Sequence, residues 1–134
     1  LEVGPRDAAS NVMVVASRLG GEKQTVDVAE VPSYLKQRLD EMQAKLFADA
    51  SQRLSDRTIS INTYEEMKTR IANEDLGFFR VYWKADNDNE KAIKEDCAAT
   101  IRCYPLDAQG DLEGKTCFYS GEPATHVALF ARAF

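Results

Sequence analysis

The chain reads as an α+β fold: a two-layer sandwich of a mixed sheet with helices on one face, preceded by a β-hairpin and a long helix. Three observations lead there. Short segments around 11–28, 58–61, 78–83, 99–106, 117–119 and 125–131 alternate or concentrate β-branched and aromatic residues as strands do. Residues 32–56 instead repeat apolar positions every three or four residues, the period of a helix. After residue 57 the predicted order is β-α-β-α-β-β-β, which sets a sheet against one helical layer.

Composition bounds the possibilities. At 134 residues, 44% hydrophobic and 29% charged, the chain is globular in composition and long enough to bury a core without a staple. No run of eighteen apolar residues is present, so no membrane-spanning helix is expected, and no signal-peptide pattern opens the chain. The first residue is Leu1, and the chain reads as a piece of something longer. A net charge of −5, spread evenly, argues against free-standing binding to bulk nucleic acid, which needs a basic face to release counterions.

Each element has a local reason. Val12, Val14 and Ala16 share one face of an extended segment, Gly20-Gly21 supplies the positive φ of a tight turn, and Val26 and Val28 return. Pro32 suits the first turn of a helix, where its missing N–H has no intrahelical partner anyway. Along that helix Leu35, Leu39, Met42, Leu46, Ala50 and Leu54 form one stripe, expected to pack into a core. Glu41–Lys45 and Asp49–Arg53 are spaced to pair on its outer face. Thr63 and Glu66 have the spacing of a capping box, opening a helix that ends near Asn73. Gly77 releases the chain into the strand Phe78–Trp83. Asp88 or Asn89 is suited to cap a short helix reaching about Asp96. Strands are expected at Ala99–Leu106, Cys117–Tyr119 and Thr125–Ala131.

Cys97, Cys103 and Cys117 are an odd set without a C-x-x-C pair, which fits reduced, packed thiols. His126, the lone histidine, has more in common with a packed strand residue than with an acid–base catalyst. Asp86, Asp88 and Glu90 read as a solvated loop with charge favourable to a helix N-terminus, in preference to a cation site. Arg6 is either a phosphate-contacting fork or the partner of Asp7.

Three segments carry more than physics alone supplies: Glu2-Val3-Gly4-Pro5-Arg6-Asp7, Thr100-Ile101-Arg102-Cys103-Tyr104-Pro105-Leu106, and the terminal Ala128-Leu129-Phe130-Ala131-Arg132-Ala133-Phe134. In this order, with a long helix between the first and second, they resemble the C-terminal portion of prolyl-tRNA synthetases of the archaeal/eukaryotic-like class II architecture. The resemblance covers essentially the whole chain. It implies three parts: the end of an anticodon-binding domain with a β-hairpin (1–31), a long connecting helix (32–56), and a C-terminal α+β domain (57–134) similar in fold to the C-terminal domain of translation initiation factor 3.

The same resemblance tests one metal site. Many members hold a structural zinc through four cysteines in two clusters. Aligned on Trp83 and Glu90, the first pair falls here on Lys84 and Asn89; aligned on Gly121, Pro123 and Ala124, the second falls on Cys117 and Ser120. One thiolate of four is left, so no zinc is expected, and packing around Trp83, Tyr104 and Phe118 must supply what the metal does elsewhere. The family usually ends in tyrosine; here the last residue is Phe134, whose carboxylate would be directed to the active site without a hydroxyl beside it.

By resemblance the parent protein is a proline–tRNA ligase using ATP and Mg²⁺ through a prolyl-adenylate. Its partners would be tRNA(Pro), proline and ATP, and it would be a cytoplasmic homodimer with no membrane attachment. No catalytic residue of that chemistry falls in this chain, whose own role would be structural and positioning, with Arg6 as a candidate tRNA contact. The alternatives are an autonomous RNA-binding module with a translation-factor-like fold and a dimer-stabilising domain.

Overall fold

The computed structural model describes residues Leu1–Ala133. Contacts divide the chain into two compact units, Leu1–Gln52 and the residues from Arg53 onward.

The first unit opens with an isolated bridge, Glu2 to Val14, and the short helix α1 (Pro5–Ala9). Strands β1 (Val12–Val15) and β2 (Gln24–Asp27) pair antiparallel, Val12 opposite Asp27 and Val15 opposite Gln24. Gly20 and Gly21 do take positive φ, 84° and 98°. The connection is nevertheless an eight-residue loop (16–23) and not the tight turn expected, because pairing stops at Val15.

Helix α2 runs Val31–Asp56. Its stripe is only partly covered. Leu35, Leu39 and Met42 line a cleft with Val15, Ala16 and Ser17, but Leu39, Leu46 and Leu54 are 63%, 38% and 55% exposed. The expectation of a continuous packed stripe is corrected by length. A helix of 26 residues spans about 39 Å, while a four-residue strand spans about 13 Å, too short to cover it. The surface pairs also differ from those expected: Glu41 is taken by Arg38 (2.6 Å) and Gln37 (2.8 Å), and Lys45 reaches forward to Asp49 (2.9 Å). Such exposed pairs differ by tenths of a kcal/mol, so spacing alone does not select among them.

The second unit is a four-stranded mixed sheet in the order β3 (Thr58–Ser60), β4 (Phe78–Trp83), β6 (His126–Arg132), β5 (Ala99–Cys103). β3 and β4 are parallel, joined through helix α3 (Tyr64–Ala72); β6 is antiparallel to both its neighbours. Alternation along β4 decides the layers. Phe79, Val81 and Trp83 are buried together with Met67 and Ile71 of α3 and Ile93 of helix α4 (Asn87–Cys97), so both helices lie on one face. Phe79 faces Phe130 across the ladder, and Trp83 stacks edge-on against Phe130 at 5.3 Å. Phe78, Arg80 and Tyr82 occupy the opposite face.

Several local features sharpen or overturn the sequence reading. Thr63 caps α3 by accepting from the Glu66 N–H, but the Glu66 carboxylate turns to Arg70 (3.2 Å) and does not complete the box. Asp86, not Asp88 or Asn89, caps α4; its Oδ1 accepts from the Asn89 N–H at 2.9 Å. β5 ends at Cys103, after a bulge beyond Ile101 and before Pro105. The expected strand at Cys117–Tyr119 is a turn: a single bridge joins Thr116 to Pro123, and Gly121 N–H donates to Cys117 O. Tyr104, counted on for the core, is 38% exposed and stacks on His126 (4.7 Å); Trp83 and Phe118 are buried as expected.

Candidate functional site

Backbone pairing brings together three of the positions that correspond to the zinc cysteines. Lys84 follows the last residue of β4. The 117–124 turn returns beside it, fixed by Phe118 N–H donating to Tyr82 O and Thr125 N–H to Trp83 O, each 2.9 Å. The Cys117 side chain is thereby buried at 3% exposure. Burial pushes its thiol pKa up. Backbone N–H groups of Ser120, Lys84 and Tyr119 and the Ser120 hydroxyl oppose this and together hold it below the ordinary value. Lys84, Cys117 and Ser120 are thus brought together. Asn89 lies in the first turn of α4, its backbone N–H donating to Asp86 Oδ1 at 2.9 Å.

The donor chemistry does not suit zinc. Lys84 Nζ donates to Glu122 Oε2 at 2.6 Å, and that bond raises the Lys84 pKa, holding the amine protonated and without a lone pair for a metal. A neutral amide and a hydroxyl are poor partners for the one sulfur. Among the described residues no group of three or more His, Cys, Asp or Glu side chains is placed to hold a metal ion. Glu122 was missed in the sequence reading. Its signal was a cation standing where the resemblance puts a ligand, which calls for a nearby anion.

A second cluster also escaped the sequence. Tyr64 on α3 donates its hydroxyl to Asp96 Oδ2 (2.5 Å) on α4, and Lys68 meets the same oxygen at 2.8 Å. Burial and then the neighbouring carboxylate push the tyrosine pKa far up, while Lys68 and then Tyr64 hold Asp96 below its ordinary 3.8. A phenol kept protonated, a carboxylate kept ionised and an ammonium on one oxygen tie α3 to α4; none is poised as a base or nucleophile.

The other candidates are dispersed. Arg6 is exposed on α1, and Asp7 does not pair with it: its Oδ2 accepts from Gly4 N–H at 2.8 Å. His126 opens β6 with Nδ1 2.8 Å from Thr125 Oγ1 and its ring on Tyr104. Asp88 and Glu90 lie in the first turn of α4, where they favour the helix dipole. The expectation for Phe134 lies outside the described residues.

An α+β unit with this strand order, after a hairpin and a long helix, can be compared with known proteins. Residues 64–134 match the family model described as "Prolyl-tRNA synthetase, C-terminal". The chain belongs to that family. Over its whole length it is 36% identical to a proline–tRNA ligase of Chloroherpeton thalassium, covering 28% of that protein. It is likewise 36% identical to the chloroplastic/mitochondrial proline–tRNA ligase of Arabidopsis thaliana, covering 25%. The crystal structure of prolyl-tRNA synthetase from Cryptosporidium parvum, complexed with halofuginone and AMPPNP, superposes over 98% of this chain and 27% of that one, with a TM-score of 0.83 at 28% identity. The chain therefore spans about a quarter of the length of these prolyl-tRNA synthetases and corresponds to their C-terminal portion. No helix among the described residues is long and apolar enough to cross a membrane.

Proposed function

We propose that the chain is the C-terminal domain portion of a proline–tRNA ligase, which as a whole joins proline to tRNA(Pro) with ATP and Mg²⁺ through a prolyl-adenylate. Its own part is structural: it finishes the anticodon-binding domain within residues 1–31, continues through the helix of 32–56, and positions the C-terminal α+β domain of 57–134. The observation that carries this reading is the full-length match to one end of proline–tRNA ligases, by a piece whose charged side chains make caps, helix ties and a surface ion pair. The complete enzyme would be a cytoplasmic homodimer. The α+β domain of 57–134 needs no zinc, a reading supported by the protonated Lys84 and the single sulfur at the site. Arg6, exposed and without a side-chain partner among the described residues, is the candidate contact to tRNA phosphate.

The test is aminoacylation by the complete enzyme with and without Phe134, a deletion that leaves β6 and its pairing with β5 intact. Loss of activity with retained tRNA binding supports a terminal carboxylate acting at the active site; unchanged activity removes that part. The isolated chain should show no proline-dependent ATP–pyrophosphate exchange. Salt-sensitive gel shifts of tRNA by the isolated chain would favour an autonomous RNA-binding module instead, against the net charge of −5.

A further inference from the structure

A structural metal held by two pairs of thiolates does two things: it joins two distant segments, and it balances the negative charge of its ligands. The first task is met here by side chains. The end of β4 and the 117–124 turn are 38 residues apart in sequence where Lys84 Nζ meets Glu122 Oε2 at 2.6 Å. Beneath that contact the turn is drawn together by Cys117 N–H donating to Glu122 O (2.7 Å) and Gly121 N–H to Cys117 O (3.0 Å). The bonds from Phe118 to Tyr82 and from Thr125 to Trp83 hold the same turn against the strand from both sides. Cys117, the first residue of the turn, is buried at 3% exposure. The ion pair spans the two segments that such a metal would join.

Resting on the zinc-free reading above, we infer that Lys84 and Glu122 form a metal-independent clasp that closes the 117–124 turn onto the end of β4. The side chains are 35% and 52% exposed, so the clasp is screened by solvent and acts on local opening of the turn more than on global unfolding.

The test uses the whole chain and three variants, Lys84→Met, Glu122→Gln and the pair together, both side chains being partly exposed. Amide hydrogen exchange is read at Phe118 and Thr125, with the α3 and α4 amides as internal controls. Each single variant should speed exchange at Phe118 and Thr125 by about three- to fivefold, and the double variant no further than either single. Molar salt should speed exchange in the parent chain and leave the double variant unchanged. Additive effects, or unaltered exchange at both amides, would overturn the clasp. Elemental analysis after growth with added zinc addresses the premise separately. One equivalent of bound zinc overturns the zinc-free reading, whereas absent metal with unaltered exchange overturns the clasp alone.

Discussion

At the scale of single residues, the most constrained positions are those where a backbone group has only one way to be satisfied. Gly77 is one: a Cβ there would collide with the Arg57 carbonyl oxygen, the same oxygen that accepts the Phe78 N–H at 2.7 Å to start β4 beside β3. Gly77→Ala should cost about 1–3 kcal/mol in urea unfolding, as overpacking against an unyielding backbone does. Gln109 is another. β5 has ended by the time β6 reaches Val127, and the Gln109 side chain supplies the missing strand edge, donating to Val127 O (2.8 Å) and accepting from Val127 N–H (3.0 Å). Gln109→Ala leaves both groups of a 6%-exposed residue unpaired and should cost about 1–3 kcal/mol, again by urea unfolding. Asp96 sets the acid response of the helix tie. Its folded pKa lies below the ordinary 3.8, through Lys68 first and Tyr64 second, so its contribution is complete above that value and is lost as pH falls through the folded pKa. Lys68→Met and Tyr64→Phe should each move the Asp96 titration up toward 3.8 in a carboxyl NMR titration; an unmoved titration in both would remove the tie.

Among the elements, those whose reasons are local were readable and those set by distant partners were not. Helix α2, the strand Phe78–Trp83 and the Thr63 start of α3 follow from periodicity, β-branching and a capping hydroxyl, all within a few residues. The misread turn at Cys117–Tyr119 has strand-like residues because Cys117 and Phe118 point into a core built by α3, β4 and β6, which short-range pattern cannot see. The Tyr64–Asp96 bond and the Lys84–Glu122 pair span 32 and 38 residues and are invisible for the same reason. The stripe on α2 has the opposite fault: its period is right, but period says nothing about whether a partner lies opposite. Its outer positions therefore contribute little here. Leu46→Gln or Leu54→Gln should change stability by no more than about 0.5 kcal/mol, whereas Ile71→Ala on α3 should cost about 2–5 kcal/mol in the same urea titration.

For the molecule as a whole, the two units are unequally furnished. Among the described residues before Arg53 only Val26 and Val31 are buried hydrophobics, while the later unit holds the cluster around Phe79, Trp83 and Phe130. Amides of β1 and β2 should accordingly exchange much faster than those of β4 and β6, and uniform protection would contradict this division. The one tryptophan sharpens the contrast. Trp83 is fully buried between Phe118 and Phe130, and its indole N–H has no hydrogen-bond partner. An indole so deprived of polar neighbours emits at short wavelength and reddens only when water arrives. Fluorescence therefore watches the sheet and is blind to the hairpin, so a thermal scan followed by emission should lag one followed by helical ellipticity, and the gap between the two curves measures how independently the two units melt.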